Sequence, residues 1–283
     1  MRIKALYIII YTLLLSINIF AQKTKDRSGF SYGGGFGAMM ASGKNALFYN
    51  GAPDKPNSIV AVIGNPIEDI NSIDQSKYSQ LYSVLKDDII GIQYPSKMSY
   101  NPAITLHGYL AYIFESQNSI YGQLKYSSCV TNGVFSLTLA SPDTSSFNNS
   151  ANKIVEGGIK AKESRVDIEF GYRILLNKEN KIVPFLDLFV NINTVAVKSH
   201  DINITTSNGT FTSSIIQRNI SNQFTTQPEG GTGYGFGTTI GIEAPLKEKM
   251  YYNIGLQGSM KTIHLLDNAT LTPHFDLFAR VLF

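Results

Sequence analysis

Charge is scarce in this chain. Asp, Glu, Lys and Arg make up 16% of its 283 residues, where a soluble domain usually carries about a quarter. A net charge of +3 is too small to point to nucleic acid as a partner. The single cysteine, Cys129, excludes an internal disulfide and reads as a small residue on a strand; a reactive thiol would need a basic neighbour. No closely spaced His/Asp/Glu cluster offers a metal site, so neither metal nor cofactor is expected. The Gly33, Gly35 and Gly37 run imitates a phosphate loop, but no helix follows it. Beyond residue 21 no apolar run approaches the length of a membrane-spanning helix. A repeat, a domain boundary and an appended peptidoglycan-binding domain are missing too. What is present is aromatic and small: 16 Tyr, 16 Phe and 24 Gly, too many aromatics for a disordered chain.

Residues 1–21 combine a short basic start (Arg2, Lys4), an apolar core over 5–20 and a small residue, Ala21, before Gln22. That order fits a secretory signal peptide; the alternative is an N-terminal membrane anchor. No Cys follows the cleavage point, so a lipoprotein is not expected. The expected plan is a signal peptide over 1–21 and one domain over 22–283.

The clearest pattern lies in residues 271–283, where Phe275, Leu277, Ala279, Val281 and Phe283 alternate with His274, Asp276, Phe278, Arg280 and Leu282. A period of two with charge confined to one face is a strand, apolar outward and polar inward. The pattern recurs over 30–41, 103–115, 119–139, 163–176, 184–198, 231–244 and 251–264, making eight strands. Outward residues include Phe36, Leu110, Leu124, Phe170, Val190, Phe236 and Leu256. A membrane protein without spanning helices must close its sheet, because lipid tolerates no open edge.

Connections near Gln117, at 177–181 and at 245–250 are short and polar, whereas 42–102, 140–162 and 199–230 are long; only 265–270 is short on that side. Alternating short turns and long loops are the outer-membrane arrangement, with both termini on the short-turn side. Within the first loop Ile70, Ile73, Tyr78, Leu81, Leu85 and Ile89 recur at helical spacing after Asn71 or Ser72, predicting a helix near 71–88. The alternative is an irregular loop packed on its own aromatics. The Thr/Ser/Asn-rich stretch 203–227 suits an extra hairpin.

The inward charges are Lys125, Arg165, Arg173, Lys261 and Arg280 against Glu163, Asp167, Glu169, Asp187, Glu243 and Asp276. Eight strands enclose only enough room for side chains, so these charges are expected to pair into a polar network that plugs the lumen rather than line an ion path. Gly-rich inward faces at 33–37 and 233–241 are expected to receive bulky side chains such as Tyr109 and Phe278, or to permit strong curvature. For an enzyme, His264 and His274 with Asp267 and Ser259, or His200 with Asp201, are the candidate rim groups; none falls in a catalytic motif.

The Phe20-Ala21-Gln22 junction, the eight alternating strands and the final Arg280-Val281-Leu282-Phe283 resemble the small outer-membrane β-barrel proteins of Bacteroidota, and more distantly OmpA/OmpX-type barrels. The resemblance covers about residues 30–283 and implies an all-β, eight-stranded antiparallel up-and-down transmembrane β-barrel with long extracellular loops. It implies an outer-membrane location in a Gram-negative bacterium, with both termini periplasmic. The expected partners are outer-membrane lipid and lipopolysaccharide, the barrel-assembly machinery, for which Phe283 is the assembly signal, and other outer-membrane proteins. The implied role is non-enzymatic, as an accessory or structural subunit of a secretion, uptake or barrel-insertion complex. A lipid-modifying hydrolase or acyltransferase and a narrow pore are the alternatives.

Overall fold

Residues alternating between two solvents make strands, and in the computed structural model those strands pair edge to edge until the sheet closes. The structure describes residues 28–53, 58–60, 75–142, 152–178, 181–215, 230–247, 250–265 and 268–283. In chain order these hold β1 (Gly29–Met40), helix α1 (Gly43–Ala46), a 3-10 turn (Leu47–Tyr49) and α2 (Gln75–Leu85). Then come β2 (Ile89–Gln93), β3 (Ser99–Tyr100), β4 (Ala103–Ile113), β5 (Ser119–Pro142), β6 (Asn152–Leu175) and β7 (Val183–Thr206). The rest are β8 (Gly209–Ser214), β9 (Thr232–Lys247), β10 (Met250–Leu265) and β11 (Asn268–Leu282).

Eight of these strands form an antiparallel ring in the order β1-β4-β5-β6-β7-β9-β10-β11 and back to β1. At the seam Gly33 pairs with Leu282 and Met40 with Phe275. The last residue completes it: Phe283 N donates to Tyr32 O at 2.8 Å, Tyr32 N donates to Phe283 O at 3.2 Å, and the two rings stack at 5.7 Å. Phe36, Leu110, Leu124, Phe170, Val190, Phe236, Leu256 and Leu277, one from each ring strand, are all exposed. A continuous apolar belt of that extent is not tolerated by water. The protein is an all-β, eight-stranded antiparallel transmembrane barrel. Gln117 and Asn177 adopt φ of 66° and 51° at two of its short turns.

Three strands are longer than their expected bounds. β5, β6 and β7 each run 24 residues, about 80 Å at 3.3 Å per residue, where about ten residues cross a membrane. The excess projects beyond the belt at the long-loop end, absorbing much of the stretches 140–162 and 199–230 read as loops. There the alternation continues but inverts. On β5 the inward side chains pass from Gln123, Lys125 and Ser127 to Phe135, Leu137 and Leu139, while outward residues pass from Leu124 and Tyr126 to Asn132. Water rather than lipid surrounds this part, so the apolar face turns in. The predicted extra hairpin is present as β7–β8, with its turn at 207–208.

The inverted interior is filled by the first long loop. Ala46, Phe48, Tyr49, Ile59, Leu81, Val84 and Leu85 pack against Phe135, Leu137, Ile159, Ile202 and Ile204 in one buried cluster. Among the described residues the predicted helix covers Gln75–Leu85 and ends before the expected residue 88: Lys86 leaves it at φ 58°, and Ile89 belongs to β2 instead. The signal peptide over 1–21, the proposed cap at Asn71 or Ser72 and Asp267 lie outside the described residues.

Bulky side chains do cover the glycine-rich 233–241 face, though not the ones named from sequence. Phe189 and Phe185 sit where Cβ atoms on Gly237 and Gly241 would fall, and Phe278 covers Gly255 rather than the Gly33–Gly37 face. A Cβ on Gly33 or Gly35 would lie 2.1 Å from the β11 carbonyls of Val281 and Ala279, so that run serves close coiling of the seam.

Phe283→Ala is expected to lower the temperature at which the folded barrel unfolds in SDS, because an aromatic pair of this kind contributes about 0.5–1.5 kcal/mol beyond its buried area. An unchanged transition temperature would show that the seam does not depend on the ring.

Candidate functional site

Inward side chains of β4–β7 and β9–β11 converge in an interior too narrow for a water column. The turn-end storey centres on Arg173, whose Nε and Nη2 each donate to Asp187 carboxylate oxygens at 2.7 Å while Nη1 reaches Glu243 Oε2 at 3.4 Å. The Asn253 amide bridges the group, its nitrogen 3.0 Å from Glu243 Oε2 and its oxygen 2.9 Å from Arg173 Nη1. Arg280 donates through Nη1 to Gln123 Oε1 at 2.7 Å and lies 3.6 Å from Asp187. Its guanidinium stands 4.0 Å over the Tyr109 ring, and that of Arg173 stands 3.8 Å over Phe185. A recess at the turn end is lined by Ser31, Tyr109, Arg173 and Glu243 among others.

Above this, Lys125 Nζ meets Gln257 Oε1 at 2.6 Å, Glu169 Oε1 at 2.9 Å and Asp276 Oδ2 at 3.3 Å. Lys261 Nζ donates to Asp167 Oδ1 at 2.9 Å, and Asn191 Nδ2 reaches the same oxygen at 3.2 Å. All nine polar residues singled out for the lumen, Lys125, Asp167, Glu169, Arg173, Asp187, Glu243, Lys261, Asp276 and Arg280, therefore face inward and are buried. His107, an inward residue given no role by sequence, joins them: its Nε2 lies 2.7 Å from Thr105 Oγ1 and 3.5 Å from Asp276, and Gln123 approaches Nδ1 at 3.1 Å.

A third cluster marks the level where the strands invert. Glu163 is fully buried and holds the first loop. Tyr49 Oη donates to Glu163 Oε2 at 2.7 Å, Tyr100 Oη donates to it at 3.2 Å, and Arg165 Nε occupies Oε1 at 2.5 Å. Sequence reasoning placed Glu163 and Arg165 inward but missed the two tyrosines. The available signal was the apolar Leu47-Phe48-Tyr49 cluster just after β1.

Further ties fix the same loop. Asn45 exchanges hydrogen bonds with Thr272 at 2.9 Å and Thr270 at 3.0 Å. The Val84 carbonyl, at the end of α2, accepts from Thr206 Oγ1 at 2.8 Å and Asn208 Nδ2 at 3.2 Å. Ser141 N donates to Asp87 Oδ2 at 2.8 Å. In the extension beyond the belt, His200 Nε2 donates to the Tyr49 carbonyl at 3.2 Å, and burial draws the imidazole down to about 4. Burial and the neighbouring Glu163 raise the Tyr49 phenol well above its ordinary range, keeping it a donor.

The rim histidines are not brought together. His274 is a cross-strand partner of Ser259, but its Nδ1 faces Arg165 Nη1 at 3.4 Å and its Nε2 faces Thr272 Oγ1 at 3.1 Å. His264 pairs with Ala269, five positions further along β10, and His200 belongs to the loop cluster. No nucleophile-base hydrogen bond links Ser259 with either His264 or His274, which is the geometry acyl or phosphoryl transfer would need.

The fold and this interior define a small transmembrane barrel with a side-chain-filled lumen and a packed long-loop end. No protein-family model matches the chain, and no curated protein does. Among solved structures it is similar to Neisserial surface protein A, at 8% identity over 90% of this chain and 96% of that one, with a TM-score of 0.42. It is also similar to Ail, the attachment invasion locus protein of Yersinia pestis, crystallised with the heparin analogue sucrose octasulfate, at 9% identity over 91% and 100% of the two chains and a TM-score of 0.32.

Two expectations follow. Arg173→Met strips Glu243 of its cation and leaves Asp187 with Arg280 alone at 3.6 Å, and should cost about 3–5 kcal/mol, read as a lower urea midpoint in lipid vesicles; a loss within error would mean that the pairs are solvated. His200 titrates near 4 when folded and near 6.5 when free, so the stability it contributes is full above pH 6.5 and drains away as pH falls toward 4. Hydrogen exchange of residues 43–53, corrected for intrinsic rates, should accelerate across that window by up to about tenfold per pH unit. His200→Gln, which can still donate to the Tyr49 carbonyl, should flatten the profile; an unaltered profile would place the pH dependence elsewhere.

Proposed function

We propose that the protein is a non-enzymatic outer-membrane barrel of a Gram-negative bacterium, of the Bacteroidota kind, with both termini periplasmic. It acts as an accessory subunit of a larger outer-membrane assembly for secretion, uptake or barrel insertion. Its partner docks on the long-loop end. The observation that supports this reading most is the tethering of the first loop into the extended strands by Asn45, Tyr49, Val84 and Asp87. A loop that served only to connect strands would not need its own core. A lumen filled by paired charges transports nothing, which leaves the surfaces to act.

The test is gentle extraction from the native outer membrane by a tag on the periplasmic side, followed by identification of what co-purifies. A stoichiometric set of other outer-membrane proteins is expected, lost when outward residues of the long-loop end are substituted. A clean monomer would overturn the reading.

A further inference from the structure

Outward side chains of β6, read from the turn end, run Ile174, Tyr172, Phe170, Ile168, Val166 and Ser164, and then Lys162 and Lys160. On β7 they run Leu186, Leu188, Val190, Ile192, Thr194 and Ala196, and then Lys198. On both strands the first charge beyond the apolar belt is a lysine. A β-bulge makes the two coincide: Glu163 pairs with Val197 and Lys162 with Ser199, so Lys198 is the extra residue and lies beside Lys162. Bulges re-aim side chains, and this one sets two cations at one height. Lys160 follows one pleat higher, about 7 Å along the strand. All three lysines are exposed, and none is held in an ion pair with a described residue. Their β5 neighbours at the same level, Val130 and Asn132, carry no charge. Among the described residues the one carboxylate on the patch is Asp201, the cross-strand partner of Lys160, and Glu156 lies two pleats further out.

We infer that Lys160, Lys162 and Lys198 form a site for the phosphate groups of an outer-leaflet glycolipid of the lipopolysaccharide type. A lipid embedded against the belt has its acyl chains alongside Val166, Ile168 and Ile192 and its anionic head at the height where these ammonium groups begin. Near a membrane surface each such cation attracts anionic lipid by about 1 kcal/mol, roughly fivefold in affinity. The site rests on the orientation proposed above, with the long-loop end outermost.

The purified barrel in detergent, titrated with diphosphorylated lipid A and followed by native mass spectrometry, should bind it more tightly than dephosphorylated lipid A. Millimolar inorganic phosphate should not displace it. K160S/K162S/K198S should weaken the phosphorylated lipid by about a hundredfold, D201N should strengthen it, and K247S at the turn end should change nothing. Equal affinity for the two lipids, displacement by free phosphate, or full binding by the triple variant would overturn the site. Fractionation of the same strains and surface labelling at residue 160 read compartment and orientation separately, so failure of that reading is distinguishable from failure of the site.

Discussion

Every backbone N–H and C=O that enters hydrocarbon must find its partner within the protein, because no water is there to stand in. For this chain that requirement falls on one seam, the pairing of β1 with β11, where eight strands either become a ring or leave two open edges. Phe283 closes it with two backbone hydrogen bonds and a stacked ring. The rest is a consequence of that closure. Eight strands fix the bore, the bore admits side chains and little else, and whatever points inward must be satisfied there.

A polar interior is not the most stable filling, since buried ion pairs often lose to apolar side chains of the same volume. It has a different merit. Outward positions must be apolar to face lipid, so apolar inward positions would turn each strand into a continuous hydrophobic run. Alternation with Lys125, Asp167, Glu169 or Arg280 keeps each segment amphipathic and unlike a spanning helix. The charges must then neutralise one another at close range. Lys125, with three acceptors within 3.3 Å, and Arg173, with its bidentate grip on Asp187, are how they do so. Above the belt the constraint reverses, and so does the pattern. Glu163 stands at the reversal and serves both regimes, paired with Arg165 toward the lumen and with Tyr49 and Tyr100 toward the loop.

The barrel was legible because its signal is periodic and repeated. The outward and inward sets on residues 271–283 and on the other ring strands coincide with exposed and buried positions. Strand ends were less legible, since a search for apolar residues outward loses the strand where apolar residues turn inward. Phe135, Leu137 and Leu139, or Ile202 and Ile204, are still alternating, in the opposite sense. The Lys198 bulge hides the continuation on β7 further by shifting the inward set from odd to even numbers, Val195 to His200. Inward charges were readable one by one, but their partners were not. Nothing in sequence spacing says that Gln257 joins Lys125, or that Tyr49 crosses 114 positions to reach Glu163.

Sealing and protrusion are linked through that last contact. Tyr49 arrives from the first loop, yet the carboxylate that receives it belongs to a strand that also lines the lumen, two residues from Arg165 and four from Asp167. The loop end is therefore anchored on the same rigid ring that the membrane holds, and its position relative to the bilayer is fixed. Among the described residues β2 pairs only with β5 and β8 only with β7, so the described part of the protruding sheet has two strand edges that the ring in the membrane cannot have. Edges of this kind are where a second chain adds most readily. In this barrel the side chains that fill the bore and the edges that reach past the apolar belt are carried by the same strands, so the filled ring sets where those edges stand.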